Sequence, residues 1–418
     1  MSQGDCLKSL SEEEKFARLK LTRSESIGGR LFWRLIRKYS SAAEVLNVFK
    51  EHSREKKLQK YKICGDSVVE KEIENTKKSG AEFVFFEDEL YPPLLREIVD
   101  APPVLTFLGN KSRLEEFNKR SSISIVGARN SSIMANKLCR QIAEDLGRNG
   151  VVIVSGMARG IDSEAHKASV STGTIAVLAS GIDVVYPPEN KKLYDSIKEN
   201  GIILAEMPFG TAPQGHLFPK RNRIIAGLSS GTVIIEAAKQ SGSLITARCA
   251  LEYNRDIFAV PGFPLDIRSE GGNNLLKQGA ILTLSAQDVL DHIFSQNMIN
   301  KNTQLFPQNM IKENTQPFSQ NMINKNVQSF PQNMIDKNAQ QEDFLFDSAE
   351  VSMESEKSEP EEIHEKILNL LSFTPITIEE LVSALGVSPQ EILPVLMELE
   401  MKKAIARISG QRVVLIRN

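Results

Sequence analysis

One short segment combines cations, a strand and a glycine turn in an order that suits phosphate binding. Lys220, Arg221 and Arg223 stand at the start of a stretch whose apolar residues recur with helical spacing. An apolar strand, GTVIIEAA, follows, and a turn at 241–243 then opens another helix. Cations and free backbone N–H groups where helices begin favour a bound phosphate. Because no Walker lysine motif accompanies them, the sequence predicts that a phosphate is held here and not hydrolysed.

Other side chains of the same segment suit contact with a nucleic acid strand. Asn222 can hydrogen-bond a base edge or fix the loop, and Phe218 can stack on a base or pack beneath the loop. Glu236, an acid in a basic site, can orient Arg221 or Arg223, or accept a hydrogen bond from a base amino group. Further candidates lie in the turn after this strand, where N–H groups and hydroxyls face the strand ends: Gly242, Ser243 and Thr246.

Apolar strands alternate with amphipathic helical stretches between residues 121 and 293. The strands read ISIVG, VVIVSG, TIAVLAS, IILAEMP, TVIIEAA, DIFAVPG and AILTL. Continuous apolar strands separated by helices indicate a parallel sheet that is covered on both faces. We therefore predict an α/β fold, a Rossmann-like doubly wound domain, whose ligands bind outside the carboxyl ends of the strands.

Polar residues gather at those strand ends. Arg129 directly follows the first strand and Ser132 opens the next helix, so a guanidinium and helix N–H groups can grip one phosphate. Gly127 has no side chain and lets a DNA backbone approach the strand end. The second strand end carries a similar set: Ser155, Gly156, Arg159 and Gly160. We expect Asp162 to cap the following helix and His166 to be a packing histidine.

The remaining residues divide into four regions. Residues 1–80 predict a helical module related to SAM-like or helix-hairpin-helix units, or a plain packing domain with Trp33 in its core. Residues 81–120 form a connector whose Pro-Pro pairs force extended backbone. Residues 294–362 hold four polar repeats of twelve residues and an acidic stretch, which predict a disordered linker.

The last region, residues 363–418, predicts three helices and a hairpin, the arrangement of a winged helix. Thr377 and Ser388 are expected N-caps. The expected recognition helix carries mainly acids, Glu391, Glu398 and Glu400. Because phosphates attract a basic face, this favours a protein contact over reading of the major groove.

Composition excludes several classes of protein. The formal net charge of −2 hides a segment, 341–362, with nine acids and one lysine, so the other residues carry a net charge of +6. The 4 cysteines show no CxxC spacing and the 5 histidines no HxxxH or HExxH pairing, so neither a disulfide frame nor a metal site is expected. No apolar run approaches a membrane span or a signal-peptide core. We expect a cytoplasmic protein.

Eight motifs identify a family. VGARNSS, SGMARGIDSEAH, LASGIDVVYPPEN, AEMPFGTAP, FPKRNRIIAGLS, EAAKQSGSLITARCALE, FAVPG and GGNNLLKQGA occur in this order. They closely resemble DNA-processing protein A, the DprA/Smf family of natural transformation. The resemblance implies a homodimer, with contacts over 271–284, that binds and protects incoming single-stranded DNA and loads the RecA recombinase. It implies no catalytic activity and no cofactor.

The rival interpretation is an enzyme. Rossmann-like sheets with glycine turns and a glutamate also occur in phosphoribohydrolases that cleave nucleoside monophosphates. Those enzymes share a PGGxGTxxE segment, and the comparable stretch here, SGSLITARCALE, lacks the double glycine and the paired acid. A dinucleotide enzyme would need GxGxxG after the first strand, where this chain has GARNSS. A nuclease would need clustered carboxylates for metal, and none are evident.

Overall fold

The computed structural model describes residues 10–52, 61–305 and 359–416. The chain divides into one compact unit, Met1–Leu290 with Pro360–Asn418, and a second, Asp291–Glu359. The helical module, the sheet and the winged helix all belong to the first unit. The residues of the candidate site lie within this unit.

Four helices precede the first strand, and helices and strands then alternate from β1 to β9. The helices are α1 (Glu12–Thr22), α2 (Gly29–Tyr39), α3 (Ala42–Glu51), α4 (Asp66–Lys78), α5 (Pro93–Arg96), α6 (Lys111–Phe117), α7 (Ile133–Arg148), α8 (Ile161–Ser169), α9 (Lys191–Asn200), α10 (Leu217–Gly227), α11 (Gly242–Glu252), α12 (Glu270–Lys277), α13 (Ala286–Leu305), α14 (Glu359–Leu370), α15 (Ile378–Leu385) and α16 (Pro389–Met401). The strands are β1 (Glu82–Phe85), β2 (Val104–Gly109), β3 (Ser122–Gly127), β4 (Val152–Ser155), β5 (Thr174–Gly181), β6 (Ile202–Met207), β7 (Gly231–Ile235), β8 (Asp256–Ala259), β9 (Ile281–Leu282), β10 (Ile376–Thr377), β11 (Ile405–Ile408) and β12 (Arg412–Leu415).

A nine-stranded sheet forms the centre of the first unit, in the order β1-β2-β6-β5-β4-β3-β7-β8-β9. The strands from β3 to β9 are parallel and correspond to the seven predicted from the sequence. The predicted doubly wound α/β fold is confirmed. The supposed connector is instead part of this sheet, because β2 pairs antiparallel with β6 and β1 pairs antiparallel with β2.

Both faces of the sheet are buried, which explains the unbroken apolar strands. Along β5, Val177 belongs to one hydrophobic cluster, whereas its neighbours Ala176 and Leu178 belong to another. On β6, Leu204 and Ile203 divide in the same way. Each strand therefore contributes alternate side chains to two cores, and helices cover both.

The N-terminal helices pack on the edge of the sheet through both apolar and ionic contacts. Trp33 is partly buried, and its Nε1 donates a hydrogen bond of 2.7 Å to the Ala101 carbonyl oxygen. A buried ion pair joins Arg23 to Glu72 at 2.9 Å, and Arg23 also donates to the Glu206 carbonyl oxygen. The bonds to Ala101 and Glu206 therefore fix the helical module against the segment before β2 and against β6.

The winged helix consists of α14, α15 and α16 with β10, β11 and β12, as predicted. Capping boxes begin α15 at Thr377 and α16 at Ser388, which confirms both predicted N-caps. This domain packs on the first turn of α7, because Ile133 is buried within its core. Arg268 adds a polar contact by donating to the carbonyl oxygens of Asn369 and Leu371 at 2.9 and 2.7 Å.

The predicted linker lies mainly outside the described residues. Helix α13 continues to Leu305 and so takes in the first copy of the twelve-residue repeat. The prediction of disorder for the other repeats and the acidic stretch concerns 306–358, which the structure does not describe.

Candidate nucleic-acid interface

The sheet reverses its winding direction between β3 and β7. The chain proceeds outward from β3 through β4 and β5 to β6, and then returns to β7 on the other side of β3. In doubly wound sheets, this switch point at the carboxyl ends of the strands is the ligand-binding crevice. The predicted strand-end residues surround this point.

Four side chains meet beside the crevice and are named here the Phe218 cluster: Arg129, Tyr186, Phe218 and Arg221. The Arg129 guanidinium lies 5.2 Å from the centroid of the Phe218 ring, and the Arg221 guanidinium lies 5.9 Å from it. The Tyr186 ring is 5.8 Å from the same centroid. Two cations and two aromatic rings at this spacing suit a nucleic acid strand, which presents both phosphates and bases.

Arg221 is the buried cation of the cluster, with only 6% of its surface exposed. Its Nη1 donates to the Val177 carbonyl oxygen at 3.2 Å and lies 4.0 Å from the Asp162 carboxylate, whereas Nε is buried without a hydrogen-bond partner. Burial lowers the pKa of Arg221 to about 10, which still leaves it charged at neutral pH. The prediction treated Arg221 as a surface ligand, but its burial makes it a fixed positive charge beneath the surface.

Gly156 is required by Arg221. A Cβ atom at position 156 would lie 1.4 Å from the Arg221 Nη1 atom. The sequence predicts that Gly156 lets a ligand approach the strand end. In the structure the space beside Gly156 is occupied by the Arg221 side chain. Any larger residue at this position would displace the buried guanidinium.

Arg129 is the exposed cation, and two glycines shape the loop that carries it. A Cβ on Gly127 would lie 1.9 Å from the Ile235 carbonyl oxygen, so close packing of β3 on β7 explains this glycine. Gly160 has a φ of +71°, and a Cβ there would lie 2.4 Å from the Arg129 carbonyl oxygen. Gly127 therefore packs β3 on β7, and Gly160 brings the loop after β4 against the backbone of Arg129.

Glu236 caps the β3–α7 connection, which differs from the roles predicted for it. Its carboxylate accepts hydrogen bonds from the Ser132 backbone N–H at 2.8 Å and from the Ser132 hydroxyl at 2.6 Å. Ser132 Oγ in turn accepts from Ala135 N at the start of α7. Glu236 has a φ of 49°, which these two bonds hold in place. The acids beside Arg221 and Arg223 are other residues, so the predicted pairing of Glu236 with them is wrong.

Arg223 turns away from the Phe218 cluster. Its Nη1 donates to the Asp100 carbonyl oxygen at 2.7 Å, and its Nη2 donates to the Glu206 carboxylate. The Asp100 carboxylate lies 3.9 Å from its Nε. Arg223 thus joins α10 to neighbouring elements as a mostly buried cation whose charge Glu206 and Asp100 balance, and it lies outside the Phe218 cluster.

The polar residues at the other strand ends mostly hold loops together. Ser155 is fully buried and donates to the Ile125 carbonyl oxygen at 2.6 Å. Asn222 fixes the loop, as one of its predicted alternatives required, by donating to the Gly242 carbonyl oxygen at 3.1 Å. Ser243 and Thr246 are buried at the start of α11, whereas Gly242 is exposed.

Two further cations remain at the surface. Lys220 is exposed near the start of α10, and Arg159 is exposed in the loop after β4. The Arg159 Nε lies 3.7 Å from the Glu189 carboxylate, in the loop that also carries Tyr186. Lys220 adds an exposed positive charge on α10, the helix that carries Phe218, whereas the charge of Arg159 faces the Glu189 carboxylate.

Sequence reasoning missed Tyr186 and misplaced Asp162. The N-cap position of α8 is Gly160, and Asp162 lies in the first turn of that helix, buried beside Arg221. Tyr186 could have been found from its position, since it is an aromatic residue in the loop after a predicted strand. His166 is fully buried with Nδ1 2.7 Å from the Thr174 hydroxyl, which confirms it as a packing histidine.

The described part of the chain also bears on metal sites and membrane-spanning helices. Within residues 10–52, 61–305 and 359–416, no three histidine, cysteine, aspartate or glutamate side chains are grouped as metal ligands would be. No helix in that part of the chain combines the length and the apolar character needed to cross a membrane.

Three family models match the chain. The family described as DNA recombination-mediator protein A matches residues 82–294. The DprA-like N-terminal HHH domain matches residues 12–75, and the DprA winged helix domain matches residues 352–411. Together these matches cover the helical module, the sheet and the winged helix.

Individual relatives agree with the family matches. The DNA processing protein DprA of Streptococcus pneumoniae is 45% identical over 205 residues, which cover 49% of this chain and 71% of the relative. The protein Smf of Synechocystis is 41% identical over 220 residues, which cover 52% of this chain and only 55% of the relative. The X-ray structure of DprA from Streptococcus pneumoniae covers 68% of this chain and 98% of its own, with a TM-score of 0.57 and 33% identity. The chain belongs to the DprA/Smf family of DNA-processing proteins.

Proposed function

We propose that this protein binds single-stranded DNA across the Phe218 cluster during DNA uptake, protects the strand and delivers it to the RecA recombinase. The single observation that carries the proposal is the pairing of an exposed cation, Arg129, with a partly exposed ring, Phe218, over the buried charge of Arg221. A single strand offers phosphate and base together, whereas the bases of a duplex are enclosed.

The arrangement of charges supports binding to phosphate. Arg221 is buried with Asp162 at 4.0 Å as its nearby acid, and Arg129 is exposed on the same side of the crevice. Lys220 extends the positive surface along α10. Contacts of this kind are tolerant of sequence, because cations bind the backbone and rings stack on any base.

A homodimer is part of the proposal. The end of the sheet beyond β8 exposes apolar side chains, with Leu282 53% and Leu284 61% accessible, and β9 is the terminal strand. An exposed apolar patch at a sheet edge favours association with a second copy. Two copies would bring two phosphate sites to one DNA strand. Binding at one site raises the effective concentration of the strand at the other, which lengthens the time for which the strand stays bound.

In this proposal the protein acts in the cytoplasm, where it binds single-stranded DNA and catalyses no reaction. Glu236, the acid at the crevice, is held by two hydrogen bonds from Ser132. Cys139 is a free buried thiol, in keeping with a reducing compartment.

Titration of the full chain with single-stranded and duplex DNA of equal length tests this function. We expect tighter binding to the single strand, whatever its base composition. A preference for duplex would contradict the proposal. Incubation with adenosine monophosphate distinguishes the rival enzyme: no free adenine is expected, and its release would favour a phosphoribohydrolase.

A further inference from the structure

An aromatic side chain outside the predicted site forms the outer side of the Phe218 cluster. Tyr186 lies in the loop between β5 and α9, and 37% of its surface is exposed. Its ring centroid is 5.8 Å from that of Phe218, with an angle of 56° between the ring planes. The two rings therefore contact one another in a tilted arrangement and continue one aromatic surface outward from the crevice.

The inner ring of this pair is already surrounded by protein. Phe218 has the guanidinium groups of Arg129 and Arg221 within 5.2 and 5.9 Å of its centroid, besides the Tyr186 ring. It is only partly exposed. Tyr186 is thus the more open of the two rings, and the one with area left for a planar ligand.

The loop that carries Tyr186 is fixed on both sides of it. Before it, the Val184 carbonyl oxygen accepts a hydrogen bond of 2.7 Å from the Ser180 hydroxyl. After it, Asn190 Nδ2 donates to the Met157 carbonyl oxygen at 2.8 Å, which ties the loop to the end of β4. A ring held in this way loses little conformational freedom when a ligand stacks on it.

We infer that Tyr186 is a base-stacking residue, and that its ring takes one nucleobase of a strand whose phosphate is bound at Arg129. The inference rests on the proposed function and adds to it a second site, for a planar base instead of an anion. The Arg129 guanidinium and the Tyr186 ring lie 5.2 and 5.8 Å from the same Phe218 centroid, so one stretch of a DNA strand can reach both groups. Every base has a π face, so the site is tolerant of sequence and requires an unpaired base.

Oligonucleotides with and without bases test the inference. The full chain is titrated with a labelled oligothymidylate and with an oligonucleotide of equal length in which every residue is an abasic spacer. Tyr186→Ala is expected to weaken binding to the thymidine strand by about tenfold and to leave binding to the abasic strand unchanged. Arg129→Ala is expected to weaken binding to both strands, because it removes a phosphate contact.

Conservative variants separate stacking from bulk. Tyr186→Phe should bind the thymidine strand as the wild type does, whereas Tyr186→Leu should behave as Tyr186→Ala. Phe294→Ala, which removes an exposed aromatic side chain of α13, is the matched control and should change neither affinity. Thermal unfolding of each variant checks that the fold is retained.

Two results would overturn the inference alone: wild-type affinity of Tyr186→Ala for the thymidine strand, or an equal loss on both strands in Tyr186→Ala. The second result would mean that the ring only positions the phosphate site. If wild-type protein fails to bind the thymidine strand at all, the proposed function falls, and the inference falls with it.

Discussion

Two arginines of helix α10, Arg221 and Arg223, have different surroundings on the two sides of the helix. On one side, Arg221 joins Arg129 beneath and beside Phe218, with the nearest carboxylate oxygen, on Asp162, 4.0 Å from the buried guanidinium. On the other, Arg223 donates to both the Glu206 carboxylate and the Asp100 carbonyl oxygen. The two residues are only two positions apart, but Arg221 lies 4.0 Å from its carboxylate and contacts Phe218, whereas Arg223 donates a hydrogen bond directly to its carboxylate. The partners of a cation, more than its position in a basic motif, decide whether it can serve an anionic ligand.

The largest expected effect lies on the paired side. Arg223→Ala should lower the free energy of unfolding by about 3 kcal/mol, because it leaves the partly buried Glu206 carboxylate without its cation. The affinity of the folded protein for single-stranded DNA should stay the same. Urea unfolding and a DNA titration on the same preparation measure the two quantities. Reduced affinity with unchanged stability would place Arg223 in the DNA site after all.

On the other side of α10 the expectation is reversed. Arg129→Ala should weaken single-strand binding by about 2 kcal/mol, the value of a charge-assisted phosphate contact. Its unfolding free energy should change little, because Arg129 is exposed. Arg129→Lys should recover only part of the loss, since an ammonium cannot form a bidentate contact. Wild-type affinity in Arg129→Ala would move the phosphate site elsewhere.

A third expectation concerns the buried neighbour of Arg221. Burial, together with the nearby charge of Arg221, lowers the pKa of His166 to about 3. The unfolded chain takes up a proton on this histidine near its ordinary pKa, whereas the folded chain does so only near pH 3. Stability that is present at pH 8 is therefore lost as the pH falls below about 6.5, by about 1 kcal/mol at pH 5.5.

Unfolding measured between pH 8 and pH 5.5 tests this expectation. His166→Gln should lose the pH dependence that the buried imidazole contributes, whereas His216→Gln, a change at an exposed histidine, should keep it. An unchanged pH dependence in His166→Gln would show that the pKa of His166 is the same in the folded and unfolded chains, and would contradict the expectation.

The sequence alone predicted the sheet but only part of the site. Strands such as β5 are buried on both faces and therefore read as unbroken apolar runs, which is a local signal. The pairing of Arg223 with Glu206 and of Ser132 with Glu236 depends on residues that only the folded sheet brings together. The burial of Arg221 likewise could not be predicted from the sequence, because a KRNR motif indicates charge but not which side of the helix faces the core.

The role of glycine shows the same limit from another direction. Gly156 was predicted from its position at a strand end, and the position was informative. The physical reason is the Arg221 guanidinium, which occupies the space a side chain would need. A strand-end glycine thus marks a close approach, while the group that approaches is known only from the fold.

The salt dependence of single-strand binding tests the central comparison most directly. If about four phosphates are neutralised per protomer, log K should fall with log salt at a slope near −3. Arg129→Ala should reduce the magnitude of that slope by about 0.7, the share of one phosphate, and Arg223→Ala should leave it unchanged. Equal slopes for Arg129→Ala and wild type, or a reduced slope for Arg223→Ala, would contradict the assignment of the two sides of α10.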